Sequence, residues 1–99
     1  MKSPNNYDQF FLSYSGIRLP LNMVGPVAAD EIANRNTYFG VMLDESGRIV
    51  QVDKRVYGEL ELQHHYGYHS NGNLAWAKIL EEDGETRQLC FDSSGALCS

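Results

Sequence analysis

The chain is expected to be mainly β, an antiparallel meander of successive β-hairpins with one short helix. Three observations predict this. First, a turn signature recurs at Ser13-Tyr14-Ser15-Gly16, Asp44-Glu45-Ser46-Gly47, His69-Ser70-Asn71-Gly72 and Asp92-Ser93-Ser94-Gly95. Asp or Ser favours the opening of a type I turn, and Gly suits its fourth position. Such a Gly takes the left-handed conformation that closes a three-residue hairpin loop. Second, a hydrophobic residue follows each Gly closely: Ile17, Ile49, Leu74 and Leu97. Third, the aromatic content, six Tyr, four Phe and one Trp, suits strands more than helices.

Taken in order, the first hairpin is expected to join Phe10–Ser13 to Ile17–Leu21. Pro20 lacks an N–H, so that strand belongs at an edge or an end. The short helix is expected over residues 27–35, with Pro26 near its start and Asn34 and Asn36 near its end. Val27, Ile32 and Ala28 would lie across the sheet. Thr37–Leu43 and Arg48–Val52 form the next hairpin about Glu45-Ser46-Gly47. At Asp53-Lys54-Arg55 the chain either turns or runs on as strand to Gly58.

From residue 60 a register follows from the turns. A three-residue loop at Ser70-Asn71-Gly72 pairs His69 with Asn73, Tyr68 with Leu74 and Tyr66 with Trp76. A two-residue type I′ turn at Asp83-Gly84 then pairs Leu80 with Arg87, Lys78 with Leu89 and Trp76 with Phe91. The last loop pairs Phe91 with Leu97 and Cys90 with Cys98. One face of this meander collects Leu60, Leu62, Tyr66, Tyr68, Leu74, Trp76, Leu80, Leu89 and Phe91. A slip of one residue would exchange the faces.

Ninety-nine residues make one domain, 1–99. The formal net charge is −5, with eight Lys and Arg. A nucleic-acid binder carries a basic patch, and none is visible, so neither nucleic acid nor an anionic membrane is expected as a partner. No stretch approaches the ~18 apolar residues of a membrane span. Met1–Asp8 leads into no apolar run like that of a secretory leader, so a cytoplasmic setting is expected.

The hairpin unit resembles the Tyr-Asp and MORN-type repeats, in which an aromatic strand leads into an x-x-x-Gly turn and then Leu. Phe91-Asp92-Ser93-Ser94-Gly95-Ala96-Leu97 carries that resemblance, and Tyr68-His69-Ser70-Asn71-Gly72-Asn73-Leu74 is similar. The glycine spacing is less regular than a solenoid requires. The whole chain is also similar to a small bacterial family of about this length with no assigned function. That resemblance lies in Phe11-Leu12-Ser13-Tyr14-Ser15-Gly16-Ile17-Arg18-Leu19-Pro20-Leu21, Asn34-Arg35-Asn36-Thr37-Tyr38-Phe39 and Val56-Tyr57-Gly58-Glu59. It implies no active site.

Candidate chemistry is sparse. His64, His65 and His69, with Cys90, are the weak candidates for metal ligands. On a straight strand His65 and His69 share a face but stand ~13 Å apart, too far to hold one ion. His64 points to the opposite, apolar face. Zinc ligands usually show tighter spacing. No metal or cofactor is therefore expected. Two cysteines are too few for a disulfide framework, but Cys90 and Cys98 become cross-strand neighbours within bridging range. No P-loop, GxSxG elbow, HExxH or dinucleotide fingerprint is present, so an enzyme is not expected. Acids crowd between Glu59 and Glu85, and Glu61 is expected opposite Glu81. These observations predict a non-enzymatic interaction protein, of accessory, inhibitor or immunity type, acting through an acidic sheet face or a sheet edge. It would meet a basic protein partner through Glu59, Glu61, His65, Glu81 and Glu85. The alternative is a small ligand- or metal-binding domain whose pocket is lined by His64, Tyr66, Tyr68 and Trp76.

Overall fold

A computed structural model describes residues 7–15, 19, 21–28 and 30–98. Seven antiparallel strands form one sheet: β1 (Gln9–Ser15), β2 (Asn22–Val27), β3 (Thr37–Leu43), β4 (Ile49–Val56), β5 (Glu59–Tyr68), β6 (Leu74–Leu80) and β7 (Thr86–Cys90). The spatial order is β2-β1-β3-β4-β5-β6-β7. The mainly β, antiparallel meander architecture is thus present. From β3 onward the strands follow chain order, and the first hairpin attaches through β1 with β2 outermost.

Three of the recurrent turns close as their chemistry predicts. The Gly47, Gly72 and Gly95 amides donate to the carbonyls of Asp44, His69 and Asp92 at 3.0, 2.9 and 2.9 Å. These glycines have φ of +86°, +93° and +95°. Short polar side chains complete the loops: Asp44 Oδ1 accepts from the Ser46 and Arg48 amides, and Asp92 Oδ1 from those of Ser94 and Ala96. Asp83-Gly84 behaves the same way rather than as a two-residue turn. Gly84 donates to Glu81 O at 3.0 Å, and Glu81 pairs with Glu85. The type I′ turn lies instead at Tyr57-Gly58, both at positive φ (51° and 83°). β4 therefore runs through Asp53-Lys54-Arg55 to Val56.

The N-terminal third differs from expectation. Ser13, Tyr14 and Ser15 remain in strand, paired with Val24, Met23 and Asn22. The return strand is β2, beyond Leu21. Gly16, Ile17, Arg18 and Pro20 lie outside the described residues. The expected helix over 27–35 contracts to one 3-10 turn, Ile32–Asn34, because Val27 already ends β2 (Ala29 lies outside the described residues). Pro26 sits in the outermost strand, where its missing N–H interrupts no interior ladder.

β-Bulges decide which side chains share a face. The 70–72 loop keeps His69 against Asn73 and Tyr68 against Leu74, but the register then shifts. Ala75 is the extra residue, so Gly67 faces Trp76 and Tyr66 faces Ala77. Tyr66 and Trp76 are therefore on opposite faces, and β7 follows with Ala77 against Leu89 and Trp76 against Cys90. Gly67 explains the shift physically. The Trp76 indole occupies the space above it, so closely that a Cβ there would stand 2.0 Å from Nε1. An aromatic ring covering a strand glycine is a known way to pin register.

The inner face holds the main core: Phe39, Val41, Val52, Leu62, Tyr66 and Ala77, closed over by Leu21 from the β1–β2 connection. Val41 and Val52 are directly paired and fully buried. Ala77 and Ile79 take the core positions expected for Trp76 and Leu80. Ile32 does pack on the sheet, but on the outer face, with Phe10 and Tyr38.

Candidate functional site

The outer face carries a polar cluster that sequence reasoning did not single out. Asp53 is 2% exposed and lies opposite Gly40. Gly40 leaves room for the Tyr7 ring, which a Cβ would meet at 2.5 Å. Tyr7 Oη crosses that gap and donates to Asp53 Oδ2 at 2.6 Å. Gln51 and Gln63 donate their amides to the same carboxylate, at 3.1 and 2.9 Å to Oδ1. Arg55 Nε donates to Tyr7 Oη at 3.2 Å, with its guanidinium 4.0 Å from Asp53. Burial, then the bond to Asp53, pushes the Tyr7 phenol up to about 12. Among the described residues no buried side-chain N or O lacks a partner. A buried carboxylate so fully bonded is a lock between the N-terminal segment and β3, β4 and β5.

The histidines go to separate surroundings. His64 is buried on the inner face, its Nδ1 2.7 Å from Tyr66 Oη. The Leu21 amide donates to the same oxygen at 3.2 Å, so the phenol is free to donate to Nδ1 of a neutral ring. Burial lowers the His64 pKa below its usual 6.5; Glu81 opposes that shift and Arg87 adds to it. His65 is on the outer face, bonded to Gln63 Oε1 at 2.9 Å. His69 Nε2 meets Phe91 O at 2.8 Å. Cys90 lies beside Trp76. Among the described residues, no three His, Cys, Asp or Glu side chains gather as a metal site would require. The pocket expected from His64, Tyr66, Tyr68 and Trp76 is not assembled, because Trp76 faces away from the others.

The acids are redistributed too. Glu61 is the extra residue of a second bulge, since Lys54 pairs with Leu62 and Arg55 with Leu60. Lys54 Nζ then reaches Glu61 at 3.0 Å and Glu82 at 3.2 Å. Glu81 bonds Arg87 at 2.8 Å and acts on His64. Glu61 therefore does not oppose Glu81, and the acids do not share one face with His65. They share one end of the sheet instead, where the Tyr57-Gly58 and Glu82-Asp83-Gly84 turns both lie. Tyr57 stands at that end, 75% exposed. It is the sole non-glycine with positive φ among the described residues. Its amide donates to Asn36 O, and Asn36 Nδ2 donates to its hydroxyl at 3.2 Å. The Tyr57-Gly58 pair was visible in the sequence; the exposure of the ring and its strained backbone were not.

The fold and its sites thus define a small antiparallel β protein with a locked polar cluster and an acidic, aromatic-tipped end. Among the described residues no helix is long and apolar enough to cross a membrane. Residues 3–99 match the model of the family of unknown function DUF6156, and the chain belongs to that family. No curated protein and no solved structure matches it.

Proposed function

We propose that the protein is a non-enzymatic interaction module. It binds a basic protein surface through the acidic end of its sheet, with Tyr57 as anchor. The observation that carries this reading is Tyr57 itself. Its ring is 75% exposed while its backbone sits at φ 51°. The left-handed region costs a side-chain-bearing residue about 1–2 kcal/mol, and Asn or Gly is the ordinary choice in such a turn. A tyrosine kept at this cost, on the surface, suits an interface hot spot. Glu59 stands just past Gly58 on the same turn, and Asp83 and Glu85 lie on the neighbouring turn. The net charge of −5 favours a basic partner. The expected setting is the cytoplasm.

Tyr57→Asn tests the reading, because it removes the ring and keeps the turn. A partner captured from the source cell should bind this variant about 30-fold more weakly, or worse, as for a hot-spot residue. Glu59→Gln with Glu85→Gln should slow association at low salt. Wild-type affinity in Tyr57→Asn, together with a flat salt series, would rule this end out.

A further inference from the structure

We propose that Cys90 and Cys98 form a reversible dithiol–disulfide couple that locks the C-terminal hairpin onto β7. Both thiols are free and exposed. The hairpin sets them directly opposite: Asp92 N–H donates to Ala96 O at 2.8 Å, and Cys98 N–H to Cys90 O at 2.9 Å. Phe91 and Leu97 bridge between these pairs. Residues in a hydrogen-bonded antiparallel pair have Cα atoms ~5.5 Å apart, inside the range a disulfide spans. The two side chains leave the same face of the hairpin. Cys90 beside it raises the Cys98 pKa, in keeping with that placement.

The chemistry is thiol–disulfide exchange with a low-molecular-weight disulfide such as glutathione disulfide. One protein thiolate attacks it, forms a mixed disulfide and releases one glutathione. The second protein thiolate attacks the protein sulfur of that mixed disulfide and releases the other glutathione. Two protein thiols are oxidised, one glutathione disulfide is reduced, and two glutathione thiols leave. Both sulfurs being held by the fold, the second step is intramolecular and outruns capture of a second glutathione.

The bridge acts on more than the last residues. Ser93 O in the same hairpin accepts from Asn71 Nδ2 at 2.8 Å and Asn73 Nδ2 at 2.7 Å. Phe91 O meets His69. Closing Cys90 to Cys98 therefore stiffens the end of the sheet formed by the 70–72 and 93–95 loops, opposite the Tyr57 end. Trp76 reports it, being the cross-strand neighbour of Cys90 and the one tryptophan of the chain.

The test treats the reduced protein with excess glutathione disulfide and reads intact mass, Trp76 emission and exchange of the Cys98 amide. The expected product is monomer lighter by two hydrogens and free of glutathione. Its tryptophan emission should change, its Cys98 amide should exchange at least about tenfold more slowly, and dithiothreitol should reverse all three. Cys90→Ser and Cys98→Ser should each retain one glutathione adduct. Wild-type protein that instead keeps glutathione on its cysteines, or forms only intermolecular bridges, would overturn the proposal.

Discussion

Gly67 has no side chain, and Trp76 fills the space above it from the next strand. Gly67→Ala would drive a methyl group into the indole, 2.0 Å from Nε1. The ring must lift, at a cost of about 1–3 kcal/mol for such overpacking. A denaturant melt and the tryptophan emission maximum should both shift; an unchanged maximum would mean that the ring does not cover the glycine. Trp76 is itself 39% exposed. Trp76→Ala should therefore cost well under the ~3–5 kcal/mol of a core aromatic. His64 carries a pH prediction. Its folded pKa is depressed by burial, so between the unfolded value near 6.5 and the lower folded value the unfolded chain binds more protons. Stability is full above pH 6.5 and falls as pH drops through that window. Glu81, Arg87 and Tyr66 are the groups acting on the ring, and they remain in His64→Gln. The variant should lose this component of the pH dependence in melts from pH 7 to pH 5. A parallel curve would show that the imidazole is not the group responsible.

At the scale of the element, the turns are governed by backbone conformation. A Cβ at Gly47, Gly72, Gly84 or Gly95 would meet nothing within 4 Å. Any destabilisation by Ala there comes from positive φ alone, about 1–2 kcal/mol per site. D-Ala introduced by chemical synthesis should be harmless at the same positions. Equal losses for the two isomers would mean that contacts, not φ, set the cost. Tyr57→Asn runs the other way, because Asn tolerates the left-handed region. It should raise stability by about 1 kcal/mol, seen as a higher melting temperature. These loops were legible because each is written in about five adjacent residues. The first hairpin was misread for the same reason. Ser13-Tyr14-Ser15-Gly16 has turn composition, yet pairing of Ser13, Tyr14 and Ser15 with β2 keeps the chain extended. The expected helix shortened because Val27 pairs with Phe10, and ladder bonds outweigh weak helix propensity.

At the scale of the whole molecule, two long-range contacts tie the N-terminal part of the chain to the middle strands. Leu21 N–H reaches Tyr66 Oη across 45 residues, and Tyr7 reaches Asp53 across 46. Tyr7→Phe removes a donor from a buried carboxylate and an acceptor from Arg55. It should cost about 1–3 kcal/mol in an equilibrium melt. A loss below about 0.5 kcal/mol would show that the remaining amides satisfy Asp53 unaided. The candidate site shows the same division between local and distant information. The acidity and the Tyr57-Gly58 pair are plain in the sequence, but one expected acidic face becomes one acidic end through the bulges at Glu61 and Ala75. By itself the sequence determined the fold class, three of the hairpin loops and the Cys90–Cys98 pairing, because short-range hydrogen bonds and glycine conformations specify them. Only the tertiary structure decided which residues share a face. A bulge of one residue inverts a strand, and at Ala75 that choice goes with a contact between strands, the indole over Gly67.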